Sequence, residues 1–186
     1  MRVTRERAAA NRTRILNVAG TLFRERGFDG IGVADIMKRA GLTHGGFYGH
    51  FSSKEDLSAE IIARVLSDQH WLEQLTGLED PTARDVVRGY LSSRHRDDPG
   101  HGCVFAALGS DVARQPRSVR HAFTEGLRVR VEALRRLLPG SAEARRKKAL
   151  ATMAGLVGAL TLSRAVDDRR LSEEILDAAA STFSRM

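Results

Sequence analysis

The stretch GLTHGGFYGHFSSKEDL, Gly41 to Leu57, decides how this chain is read. It opens on a glycine, which tolerates the positive φ of a sharp turn that a Cβ would strain. A short helical segment follows from His44 to His50, with Phe47 and then Phe51 at a spacing of four on its inward side. Ser53 starts a further helix: its hydroxyl can accept a backbone N–H, and Asp56 three residues on completes a capping-box pattern. The short segment turns Thr43, His44, Gly45, Gly46, Tyr48 and Gly49 outward, all small or hydrogen-bonding. A generic helical hairpin would carry leucines or long charged side chains at those positions.

Upstream of the turn, Val33, Ile36, Met37 and Ala40 place an apolar stripe on a helix from Val33 to about Ala40, and Leu42 adds to its inward side. Residues 32–51 thus have the spacing of a helix-turn-helix, whose second helix must be slim enough to enter a groove about 12 Å wide. Further upstream, Ile15, Leu16, Ala19, Leu22 and Phe23 line one face of a helix from about Arg12 to Arg26. Gly27 is its natural C-terminal cap, and Phe28 the apolar residue that folds back on it.

Charge points the same way. The 186 residues include 30 Lys or Arg and 23 Asp or Glu, a net +7, and residues 1–51 hold nine of the basic residues against four acidic ones. A basic N-terminal quarter on a nearly neutral body implies an anionic partner met by one end of the molecule, nucleic acid or an acidic membrane surface. Arginines left on a solvated face are the blander explanation. Hydrophobic residues at 42% and charged residues at 28% describe a globular chain rather than a disordered one. A single cysteine excludes an internal disulfide framework. The longest uncharged run, Ala149 to Ser163, is too short to cross a bilayer, and the charged N-terminus leads into no signal-peptide core. The expected compartment is the cytoplasm, with no membrane partner.

Strand signals are scarce, and the rest of the chain reads as helices separated by short punctuation. A fourth helix runs to about Leu75, followed by Thr82 to Arg96, Val104 to Arg114, Pro116 to about Leu138, and an eighth from the N-cap Ser141 through Val166. A ninth starts at Ser172 and ends near Ser184. The expected fold is all-α, with about nine helices.

The run Gly41–Leu57, extended back through ILNVAGTLFRERGFDGIGVADIMKRA (Ile15–Ala40), resembles the signature of TetR-type bacterial transcriptional regulators. The resemblance covers roughly the first 60 residues; beyond them only helix number, length and order are similar. It implies a DNA-binding domain over residues 1–57, with its helix-turn-helix at 32–51, and an effector-binding and dimerisation domain over 58–186. Thr43, His44 and Gly45 fall where side chains reach base edges. Tyr48, His50 and Lys54 fall where the family contacts phosphates, which fixes register without reading sequence. Val33 stands where the family often has threonine, and Gly32 where a hydroxyl N-cap is usual, which weakens one phosphate contact and costs about 0.5 kcal/mol of cap. Gly45 and Gly46 each lower helix stability by roughly 1 kcal/mol relative to alanine, so close approach to DNA is their functional reading and a frayed helix the other. Arg2, Arg5 and Arg7 are candidates for a minor-groove arm.

The implied protein is a repressor that binds a palindromic operator as a homodimer and is released by a small-molecule or reactive inducer; it carries no cofactor and is not an enzyme. Leu150, Met153, Val157 and Leu160 repeat as a seam on the eighth helix, with Gly155 in a row of small residues beside it, and Ile175, Ala179 and Phe183 extend the interface to the ninth. Candidates for lining an inducer pocket are His70, Trp71, Tyr90, Phe105, Leu108, His121 and Phe123. Cys103, near a helix start with His101 two residues before it, is a candidate redox or electrophile sensor. His95, His101 and Cys103 have no recognised metal-ligand spacing. An enzyme finds no support: Asp97-Asp98 and Asp167-Asp168 are adjacent pairs that splay apart, and there is no nucleophile elbow or phosphate loop. The alternative is a helical interaction module whose basic end meets an acidic protein or membrane instead of DNA.

Overall fold

The apolar stripe Ile15–Phe23 lies on a helix longer than its periodicity implied. In the computed structural model, which describes residues 5–68 and 70–185, α1 spans Arg5–Arg26. The alanine run Ala8–Ala10, with the highest intrinsic helix propensity, carries it past the expected start at Arg12. Gly27 ends it with φ 73°, its N–H donating to the Phe23 carbonyl over 2.8 Å. Helix α2 (Val33–Arg39) follows, starting at Gly32 without a side-chain cap. Gly41, at φ 67°, makes the turn into a 3₁₀ helix, His44–Gly49. Helix α3 (Lys54–Leu66) is capped by Ser53, whose hydroxyl accepts the Asp56 N–H at 3.1 Å. The Asp56 carboxylate reaches back one residue further than a capping box, accepting from both the N–H and the hydroxyl of Ser52 at 3.0 Å.

Two helices expected to be continuous are broken. The one expected to run to about Leu75 stops at Leu66, and α4 (Trp71–Thr76) starts afresh. The Asp68 carboxylate, accepting from the His70 N–H at 2.9 Å and the Gln74 side-chain amide at 2.8 Å, builds the turn between them. The segment expected over Thr82–Arg96 divides into α5 (Ala83–Tyr90) and α6 (Ser93–Asp97), because Ser92 caps the second piece by accepting the His95 N–H. A 3₁₀ turn, Pro99–His101, leads to α7 (Val104–Val112), α8 (Arg117–Arg136), α9 (Ala142–Ala165) and α10 (Arg169–Phe183). Ser172 does not start the last helix. Asp168 caps it through the N–H groups of Arg170 and Leu171, and Ser172 is buried with its hydroxyl donating to the Ser163 carbonyl over 2.6 Å. All of the regular elements among the described residues are helical.

Helix α3 joins the two ends of the molecule. Its N-terminal half packs with α1, α2 and the 3₁₀ helix around Ile15, Phe23, Ile36, Phe47 and Leu57, and its C-terminal half lies along α8. Gly126 makes that contact possible, since a Cβ there would overlap the Leu66 side chain. The core is continuous from Ile15 to Met153. A second cluster joins Val87, Tyr90 and Leu91 of α5 to Leu156 and Leu160 of α9 and Leu176 of α10. At the other face of α1, Arg24 donates from Nε to the Gly100 carbonyl at 2.6 Å, and the Phe28 N–H meets the Asp111 carboxylate at 3.3 Å.

Candidate nucleic-acid interface

The 3₁₀ helix His44–Gly49 is held from within and bare without. Phe47 is fully buried, its ring 5.6 Å from that of Phe51, so two aromatic pegs fix the segment to the α1–α3 core. Arg12 of α1 covers the Phe51 ring at 4.6 Å and pairs with Glu60 of α3, tying the first and third helices together beneath it. On the outer side Thr43, His44, Gly45, Gly46 and Gly49 are exposed, and Tyr48 is 68% exposed with its ring 6.5 Å from that of His44. Thr43 begins the helix in an extended conformation and makes no side-chain cap hydrogen bond. A Cβ at Gly45 or Gly49 would meet nothing within 4 Å, so internal packing does not demand glycine at either position. The smoothness of this face is a property it shows to the outside.

His50 and Lys54 are half-exposed, His50 at the end of the 3₁₀ helix and Lys54 as the first residue of α3. Val33 is also half-exposed, but its side chain packs against the core. Of the arginines expected to form an arm, Arg5 and Arg7 lie in the first turn of α1, and Arg2 falls outside the described residues.

A cavity of about 240 Å³ opens between α3, α4, α5, the Pro99–His101 turn and α8. Of the residues expected to line it, Trp71, Tyr90 and Phe105 do. Leu108 and Phe123 instead belong to the core, with Phe123 edge-on to Phe105 at 4.8 Å. His70 and His121 are exposed and do not line it: His70 sits in the turn before α4, and His121 falls on the outer face of α8. Among the lining residues that were not expected there are His95 and Arg130. Arg130 is only 6% exposed; it stacks over Trp71 at 4.6 Å and donates to the carbonyls of Asp68 and Val65 at 2.8 and 3.0 Å. Burial brings its guanidinium down to about 10.

Cys103 is half-buried at the cavity wall as the N-cap of α7, and its backbone N–H donates to His95 Nε2 at 2.9 Å. His95 Nδ1 faces the Tyr90 carbonyl at 2.8 Å. The ring is therefore held as the neutral Nδ1–H tautomer, and burial moves its pKa below the ordinary value. With both nitrogens engaged, His95 has no lone pair to offer a metal. The described residues contain no group of three or more His, Cys, Asp or Glu placed to hold one. None of the helices among them is long and apolar enough to cross a membrane.

The expected seam on α9 is rotated. Leu160 is fully buried and Met153 nearly so, both packed inside the protomer, and Phe183 of α10 lies on Gly155 so closely that a Cβ would overlap its ring. Val157, Ile175 and Ala179 are half-buried. The apolar surface left open on α9 runs through Leu150, Ala154, Gly158 and Leu162, with Leu150 at 45% and Leu162 at 58% exposure, and Leu171 opens the corresponding face of α10. Of the seam as expected, Leu150 is the residue that faces out.

Residues 15–61 match the sequence model of a family described as bacterial regulatory proteins, tetR family. The chain is 43% identical over 60 residues to the HTH-type transcriptional repressor KstR2 of Rhodococcus jostii, a match spanning 32% of this chain and 29% of that repressor. It is 26% identical over 137 residues to the HTH-type transcriptional repressor NemR of Escherichia coli, spanning 71% of this chain and 69% of the relative. The backbone superposes on the crystal structure of E. coli NemR in its reduced form with a TM-score of 0.76 at 22% identity, covering 95% of this chain and 96% of that one. At that identity the superposition speaks for the fold.

Proposed function

We propose that this chain, whose residues 15–61 match the model of the TetR family of bacterial regulatory proteins, is a TetR-type transcriptional repressor binding a palindromic operator as a homodimer and released when a small molecule enters the cavity. The observation that carries the reading is the outer face of His44–Gly49: a segment pinned by Phe47, with Tyr48 projecting and no side chain at Gly45, Gly46 or Gly49 to hold a groove floor away. Thr43, His44 and Gly45 are assigned to base edges, and Tyr48, His50 and Lys54 to phosphates. Val33, turned toward the core, lies at the edge of this footprint. The exposed stripe Leu150, Ala154, Gly158 and Leu162, with Leu171, is assigned to the partner protomer, since small residues let two helices approach closely.

The loop between α6 and α7 supports a route for release. Asp98, His101 and Cys103 line the cavity, while Gly100 between them lies under α1 and accepts the Arg24 hydrogen bond. A ligand that displaces this loop shifts the seat of the first helix and with it the spacing of two recognition segments in a dimer. The coupling requires the ligand to bind the two arrangements with different affinity. Cys103, in the same wall, is assigned as the residue through which a reactive inducer would act.

Footprinting on DNA upstream of the chain's own gene tests the reading. We expect a protected palindrome, and, if about six phosphates are neutralised, an affinity falling with salt at a log–log slope near −5. Tyr48→Ala with Lys54→Ala should lower operator affinity by about 10- to 100-fold and flatten the slope by roughly 1, with the circular dichroism spectrum and dimer unchanged. No protected site at low salt, or full binding by the double variant, rejects the assignment.

A further inference from the structure

The polar groups around the cavity are unevenly committed. Its acceptors are taken: Asp68 by the His70 N–H and Gln74, Asp98 by the N–H and ring of His101, and His95 Nε2 by the Cys103 N–H. Two of its donors face no anion. The Tyr90 hydroxyl is 3% exposed and has no oxygen or nitrogen acceptor among the described residues; the Cys103 thiol beside it is a weak partner. Arg130 is buried in the lining of the same cavity, and its hydrogen bonds go to backbone carbonyls; the Asp68 carboxylate acts on its charge without a direct ion pair among the described residues. A buried hydroxyl and a buried cation left in this state call for an acceptor carrying negative charge. Trp71, Leu75, Phe105 and Met153 supply apolar wall, and Arg94 and Gln74 add polar groups to the lining.

We infer that the effector of the repressor proposed above is a small organic acid, its carboxylate taken by Arg130 and the Tyr90 hydroxyl and its apolar body seated against Trp71 and Phe105. The volume of about 240 Å³ equals about eight waters at liquid density, which limits the ligand to on the order of ten non-hydrogen atoms. A cation of the same shape meets Arg130 with like charge. A neutral hydrocarbon offers neither the Tyr90 hydroxyl nor Arg130 an acceptor.

The experiment titrates the full chain with benzoate, benzamide and benzylamine, followed by calorimetry and thermal shift. Benzoate should bind saturably and raise Tm, benzamide should bind at least about tenfold more weakly, and benzylamine should not bind, because a charge-assisted bidentate contact is available only to the acid. Tyr90→Phe should weaken benzoate by about five- to tenfold while leaving the unliganded Tm nearly unchanged, since the deleted hydroxyl has only the weak Cys103 thiol as a partner. That variant keeps the test sound if Arg130→Met, which frees the carbonyls of Val65 and Asp68, fails to fold. Benzamide or benzylamine binding as well as benzoate, no saturable binding of any probe, or unaltered benzoate affinity in Tyr90→Phe each overturns the acid site. Footprinting the same preparation without probe separates the two readings. A chain that protects its operator but ignores all three probes loses only the acid site, and one that selects benzoate but protects no DNA loses only the repressor.

Discussion

The two ends of this molecule are built on different principles. Up to Leu57 the interior is apolar side chains and helix caps; the buried polar or charged residues Ser58, Arg96, Thr152, Arg130, Ser163 and Ser172 all come later. In the body, Arg96 donates to the Ser172 hydroxyl at 3.1 Å, Ser172 donates to the Ser163 carbonyl, and Arg164 donates to the Arg96 carbonyl at 3.0 Å. Apolar packing is indifferent to pH and to small polar solutes, so the N-terminal end is a rigid tool. Buried polar groups are stable only while each is paired, so the body's structure depends on what is bound and protonated within it.

The largest test of that contrast is Phe47→Ala. Removing a fully buried aromatic that holds a six-residue 3₁₀ helix should cost about 3–5 kcal/mol. Because the core is continuous through α3, the loss should appear in urea denaturation of the whole chain as well as in operator binding. If DNA binding vanishes while the global transition stays in place, the two ends are less coupled than the packing indicates.

Gly45→Ala separates fold from function at the same segment. Gly45 has a negative φ, and a Cβ there would meet nothing, so alanine should raise stability by about 0.5–1 kcal/mol through the unfolded chain. Under the proposed function operator affinity should fall nonetheless, because the added methyl lies on the face assigned to the groove. A gain in stability with unchanged affinity would mean that this glycine merely frays the helix. Thermal denaturation and a gel-shift titration on one preparation decide it.

The same contrast explains what could be read from the sequence. Gly27, Gly41, Phe47, Phe51 and Ser53 act on neighbours within a few residues, and each does in the structure what its spacing implied. The breaks after Leu66 and at Ser92 depend on the single side chains Asp68 and Ser92 inside otherwise helical patterns and were not legible as breaks. Two adjacent apolar stripes share α9, and only the position of α10 shows which of them Phe183 covers within the protomer. Arg130 was hidden by the surrounding run of arginines, yet it stands four residues after Gly126 and four before Leu134, all three buried on one stripe of α8. An arginine on an inward stripe was the available signal. His95 offered none, since Tyr90 and Cys103 meet it only through the way α6 is set between α5 and α7.

The smallest expected effect probes the body's dependence on protonation. His95 is held neutral between the Tyr90 carbonyl and the Cys103 N–H, and its pKa is lowered first by burial and further by Arg164 and Arg94, against opposing contributions from the Tyr90 hydrogen bond and Asp98. A folded-state pKa below the unfolded value of 6.5 means that the unfolded chain takes up the proton first. Its contribution is therefore fully present above about pH 6.5 and is lost as pH falls through the lowered folded value. Protonated Nε2 can no longer accept the Cys103 N–H, which releases the start of α7 and the cavity wall. Tm should thus fall between pH 7.5 and 5.5. In His95→Gln, whose amide can donate to the Tyr90 carbonyl and accept from Cys103 without titrating, the fall should be shallower. Equal slopes in the two proteins would place the body's pH response elsewhere.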